Sequence, residues 1–111
     1  MIGLLMLAEA TVGHMFLNGN ALLARCDQNR EACEMYVAGN FDQLQLTTAA
    51  MGRIAICPSK DVTMAQATDV VLKYLADHPD SRDKVAPFLV SMALVQAFPC
   101  TKRRCVKGIN G

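Results

Sequence analysis

Thr63-Met64-Ala65-Gln66-Ala67-Thr68-Asp69-Val70-Val71-Leu72-Lys73-Tyr74-Leu75-Ala76-Asp77-His78-Pro79 is the stretch that decides the fold class. Thr63 and Gln66 stand in the T-x-x-Q order of a capping box, in which each side chain satisfies the other residue's backbone N–H. From there Ala67, Val70, Val71, Tyr74 and Leu75 recur at helical spacing along one stripe. His78-Pro79 closes the segment, because the residue before proline is pushed out of the α region and the ring cannot continue a helix.

The flanking sequence repeats this pattern and offers no strand alternation. Asn18, an N-cap residue type, precedes a first helix running through Ala21-Leu22-Leu23-Ala24-Arg25 towards Cys26. After a polar turn at Asp27-Gln28-Asn29, a second helix fits residues 30–46, with Cys33, Tyr36, Val37, Phe41 and Leu44 on one face. Gly39 weakens that helix, and a close helix crossing there would account for it. Residues 47–61 lack a long period and read as the longest loop, with Gly52, Ile54-Ala55-Ile56 and Cys57-Pro58. A fourth helix begins between Asp80 and Asp83 and aligns Val85, Phe88, Leu89, Met92 and Val95. Pro87 predicts a late start or a kink, and the helix stops before Pro99. The expectation is an all-α, disulfide-stapled bundle of about four helices.

Composition agrees with this reading. The chain has 111 residues, enough for one domain, and a core short of aromatics, with four Phe, two Tyr and no Trp. A formal net charge of +1 argues against a binder that neutralises many nucleic-acid phosphates. The charge is uneven: residues 1–100 carry seven Lys/Arg against ten Asp/Glu, while the tail carries Lys102, Arg103, Arg104 and Lys107 with no acid. Three segments follow: residues 1–14, signal-like or disordered; residues 15–100, the helical domain; and residues 101–111, a basic tail. The run Ile2-Gly3-Leu4-Leu5-Met6-Leu7-Ala8 is similar to a clipped secretory signal without its basic start, or else is a helix packed on the domain. No run reaches the ~18 to 20 apolar residues that span a bilayer, so stable membrane insertion is not expected.

The five cysteines contain no CxxC pair that would present a zinc ion with adjacent thiolates, and disulfides are the better reading. Cys26 ends the first helix and Cys33 lies in the first turn of the second, so a bond between them staples two helices across a turn. Cys57 precedes the third helix and Cys100 follows the fourth, so their bond closes that hairpin at its open end. Cys105 could compete with Cys57 for Cys100, link two chains or stay free.

Candidate chemistry is sparse. His14 and His78 are the only histidines, and neither a two-histidine helix motif nor a Cys/His metal cluster can be written; no metal and no cofactor are expected. His78 has a local role at a helix C-terminus, and Asp77 and Asp80 read as solvated or capping carboxylates. There is no Gly-rich phosphate loop and no G-x-S-x-G elbow, so catalysis is not expected. Lys102-Arg103-Arg104 reads as a solvated tail or a dock for an acidic surface. Met35, Met51, Met64 and Met92 read mainly as core fillers, with an adaptable binding surface as the other use.

Taken in order, several short motifs resemble the Rap/Tai family of type VI secretion immunity proteins across residues 15–100. They are Gly19-Asn20 with Leu22-Leu23 and Cys26; Cys33 with Tyr36-Val37-Ala38-Gly39 and Asp42; Cys57-Pro58; Thr63 with Gln66; Val70-Val71; Tyr74-Leu75; His78-Pro79; and Phe98-Pro99-Cys100. The resemblance implies a periplasmic helical protein, often a disulfide-bonded homodimer. Its partner would be a cognate toxic effector, typically a peptidoglycan-cleaving amidase, which it binds and blocks. Such an inhibitor needs a protruding element on a rigid base. The candidate is residues 47–60, anchored by Cys57, with Thr47, Thr48, Met51, Arg53 and Lys60 as partner-binding residues; a plain connecting loop is the competing reading. The competing function is a stand-alone periplasmic structural or chaperone-like binder without a dedicated toxin.

Overall fold

The computed structural model describes residues 16–51 and 56–100. Four α-helices follow one another: α1 Gly19–Gln28, α2 Arg30–Met51, α3 Met64–Asp77 and α4 Ala86–Ala97, with a 3-10 turn at Pro79–Ser81. No strand occurs among the described residues; the only sheet-like contact there is an isolated antiparallel bridge between Asn18 and Val85. The N-terminal run, the basic tail and Cys105 lie outside the described residues.

Each helix starts where its capping chemistry allows. The Asn18 side chain accepts from the Ala21 amide at 2.8 Å. The capping box of α3 is complete: Thr63 Oγ1 accepts from the Gln66 amide at 3.1 Å, and the Thr63 amide donates to Gln66 Oε1 at 2.9 Å. Thr63→Ala is therefore expected to lower stability by about 1 kcal/mol, read as a fall in the urea midpoint at unchanged slope. The expected turn at residues 27–29 shrinks to one residue. Asn29 caps both neighbours, its N–H donating to the Arg25 carbonyl at 2.9 Å and its side chain accepting from the Ala32 amide at 3.1 Å. α1 and α2 are thus joined without a loop, and Cys26 and Cys33 meet across the junction with S–S 2.01 Å.

α2 packs against each of the other three helices. The core is Leu22, Cys26, Cys33, Val37, Ile56, Ala67, Val71, Leu75, Ala86, Leu89, Val90, Ala93 and Leu94. Thr68, fully buried among them, donates its hydroxyl to the Met64 carbonyl at 2.8 Å and so leaves no orphan donor. Cys57 and Cys100 close the α3–α4 hairpin with S–S 2.05 Å, and the Cys57 amide donates to the Phe98 carbonyl at 2.9 Å. Phe98 then meets Phe41 of α2 edge to face, with centroids 6.1 Å apart, which seats the closed hairpin end on α2.

Four expectations need correction. α2 continues to Met51, so residues 47–51 are helix and the loop is shorter than the sequence suggested. α4 begins not between Asp80 and Asp83 but at Ala86, the late start that Pro87 predicts, with Pro87 in its first turn where a missing N–H does no harm. Its buried face is Ala86, Leu89, Val90, Ala93 and Leu94, whereas Val85, Phe88 and Val95 are exposed and Met92 is half-buried. Gly39 marks no helix crossing: a Cβ built there meets nothing within 4 Å.

The close approach is at Gly19, where a Cβ would lie 2.6 Å from Leu89 Cδ1 and 2.9 Å from the Arg82 Cα. The cause is the way the first turn of α1 is satisfied. Its Gly19 and Asn20 amides donate to the carbonyls of Lys84 and Arg82, both at 3.0 Å, so the 82–84 backbone lies on the helix start.

Candidate partner-binding surface

The residues singled out for partner contact lie around the end of α2 and the approach to α3. Thr47 and Thr48 occupy the last turns of α2; Thr47 is exposed and Thr48 half-buried, and the Thr47 hydroxyl accepts from Gln43 Nε2 at 3.1 Å along the same helix. Met51 is the final residue of α2. Lys60 is exposed in the turn before α3, and Arg53 lies outside the described residues. Among the described residues no ion pair joins Lys60 to its neighbours.

Beside them α2 and the start of α3 enclose a groove of about 210 Å³. Ala38, Phe41, Val62 and Ala67 line it together with Asp42, Gln45, Thr63 and Met64. Packing holds the two walls together. At the far end of α2, Arg30 Nε donates to Glu34 at 2.8 Å while Nη2 donates to Asp69 at 2.9 Å and to the Ala65 carbonyl at 3.1 Å, tying α2 to α3. Hydrogen bonds to Glu34 and then Asp69 raise the guanidinium above its ordinary pKa, so Arg30 stays charged. Arg30→Ala is expected to produce a small fall in Tm that shrinks further at high salt, since these groups face solvent.

The outer side of α2 was not apparent from the sequence. Met35 is 62% exposed and Leu46 63%, and Met64 across the groove is also exposed, so two of the methionines read as core fillers face solvent instead. Met35, Gly39, Asp42 and Leu46 form one outward strip, opposite the buried Cys33 and Val37. The signal was present as apolar residues out of phase with the core stripe.

A second apolar strip runs along α4 through Val85, Phe88 and Val95, and α4 carries no charged residue at all. His78 is structural, as its position suggested: it caps α3, its Nδ1 lies 2.8 Å from the Tyr74 carbonyl, and its ring stacks on Tyr74 at 4.0 Å. Burial raises the Tyr36 phenol above its usual range, with Asn40 acting in the other direction. No group of three or more metal-ligating side chains is present among the described residues, and no helix there is long and apolar enough to cross a membrane.

The family model of the Rap1a immunity proteins matches residues 18–100. The chain belongs to the Rap1a immunity protein family. The match starts at the N-cap of α1 and ends at Cys100, so it takes in all four helices of this Rap1a-family protein and both of its disulfides. No curated protein and no solved structure gave a match. The immunity proteins are not a known enzyme family, and membership implies binding to a cognate toxic effector.

Proposed function

We propose that this protein acts in the periplasm as the immunity partner of a toxic effector delivered by type VI secretion, a peptidoglycan amidase, which it inhibits by binding over the active-site cleft. The observation that carries the reading is the family match across the whole disulfide-stapled unit, residues 18–100. Two disulfides within so small a core support an oxidising compartment, because thiols in the cytosol are kept reduced. The contact element is residues 47–60, with Thr47, Thr48, Met51, Arg53 and Lys60 as its contact residues. Its base is rigid, since α2 supplies one end and Cys57 is bonded to Cys100 at the other. The reading includes a homodimer, for which the uncharged strip on α4 offers apolar surface.

The test is neutralisation. A toxin encoded beside this gene is sent to the periplasm of a test strain, with the immunity protein directed either to the periplasm or to the cytoplasm. Growth is expected to recover only with periplasmic protein, and the purified pair is expected to form a stoichiometric complex in which peptidoglycan cleavage stops. Growth arrest in both arms, together with binding to many unrelated unfolded proteins, would instead indicate a chaperone-like periplasmic binder.

A further inference from the structure

The outward face of α2 combines three properties that no packing among the described residues explains. Met35 and Leu46 are large, apolar and more than half exposed. Between them stands Gly39, exposed in the middle of a 22-residue helix, with nothing within 4 Å of where its Cβ would be. Glycine there weakens the helix without any return among the described residues. Asp42 lies on the same strip and reaches the groove beside Phe41 and Met64, and among the described residues it makes no ion pair.

Charge narrows the choice of occupant. From Glu31 to Met51 helix α2 carries Glu31, Glu34 and Asp42 and no Lys, Arg or His, while Arg30 at its start is already held by Glu34 and Asp69. A second copy of this face would offer Asp42 no free cation. A basic partner would meet a lone carboxylate flanked by apolar side chains, the arrangement that guides and registers association.

We infer that the outward face of α2 is a docking surface for a basic, amphipathic helix of the effector: one cation pairs with Asp42, one apolar side chain enters the groove between Phe41 and Met64, and the partner's helix passes closest at Gly39. This deepens the reading above by giving the chemistry of the effector's surface, and it rests on that reading for the partner being an effector. The face adjoins Thr47 and Thr48 on the same helix, where the segment proposed to block the active site begins.

Two measurements decide it separately. In the first, the oxidised, isotope-labelled protein is titrated with a synthetic Lys/Leu amphipathic helical peptide, and with a Glu/Leu peptide of the same pattern, while amide NMR shifts are followed. The Lys/Leu peptide is expected to move the signals of Met35, Gly39, Asp42, Leu46 and Met64, and the Glu/Leu peptide to move none of them. Asp42→Lys is expected to weaken the Lys/Leu peptide by about tenfold. Gly39→Gln is expected to weaken it as much while raising Tm, which separates lost access from lost folding. Shifts centred on Phe88 and Val95, or unchanged affinity in both variants, would overturn the proposal. So would a wild-type dimer that Gly39→Gln converts to monomer, because a second copy would then be the occupant.

In the second, the same variants enter the neutralisation assay. Loss of protection by Gly39→Gln and Asp42→Lys supports the proposal. Full protection by both overturns the docking face and leaves the immunity reading standing. If even the wild-type protein fails to protect, the immunity reading falls, and the titration alone still decides whether α2 takes a basic helix.

Discussion

Replacing Cys57 and Cys100 together by serine is expected to lower the unfolding free energy by about 4 kcal/mol, the chain-entropy value for cross-linking residues that far apart. The two cysteines are separated by 43 positions, and both are only half-buried, so loss of core packing adds little. The corresponding loss for Cys26 and Cys33, separated by seven positions, is about 2.4 kcal/mol from the same model. Urea denaturation of the two double variants against wild type checks the order. If the short-range pair proves the more important, the stabilisation comes from local packing, since Cys33 is fully buried and Cys26 nearly so. A domain of this size has only about 5 to 15 kcal/mol in total, so losing both bonds removes a large share of it. The disulfides therefore couple folding to compartment: the protein is expected to be well folded where they persist and marginal where they are reduced.

Gly19→Val is expected to destabilise by about 2 to 3 kcal/mol, within the range for forcing atoms into a filled space. The added carbons meet Leu89 Cδ1 and the backbone of Arg82, and backbone cannot swing aside as a side-chain tip can. Relief requires the 82–84 segment to lift from the start of α1, which breaks the hydrogen bonds from Gly19 and Asn20. Gly39→Ala should do the opposite and stabilise by about 0.5 to 1 kcal/mol, because alanine restores helix propensity in open space. Thermal unfolding of the two variants side by side is sensitive enough, since 1 kcal/mol moves Tm by about 4 to 8 °C in a domain of this size. The same sign for both would show that local propensity, and not tertiary contact, governs these positions.

Much of the architecture was legible in the residue order because it rests on local rules. The Thr63–Gln66 box, the stop at His78-Pro79 and the Asn18 cap involve residues close together in the chain, so their chemistry is visible without a fold. The cysteine pairs followed from where the helices begin and end. The partner surface was less accessible. Thr47-Thr48-Ala49-Ala50-Met51 has no strong period and on that ground suggests a loop, yet it continues α2; alanine favours helix and nothing there stops one. Met35 and Met64 suit a core by composition, but their phase on the helices sends them outward.

What the sequence determined by itself was the number of helices, their approximate order and the staples between them, since caps, breakers and amphipathic stripes act over a turn or two. What only the tertiary structure decided was which side of α4 is inside and which glycine is indispensable. α4 is apolar nearly all round, so the stripe through Val85, Phe88, Leu89, Met92 and Val95 does not single out its buried face. Its neighbours chose the face bearing Ala86 and Ala93, whose small side chains let the helix approach closely, and left Val85, Phe88 and Val95 outside. Gly19 and Gly39 look alike in the sequence, but one lies under the 82–84 backbone and the other faces open space, a difference made by residues more than sixty positions away from Gly19 along the chain.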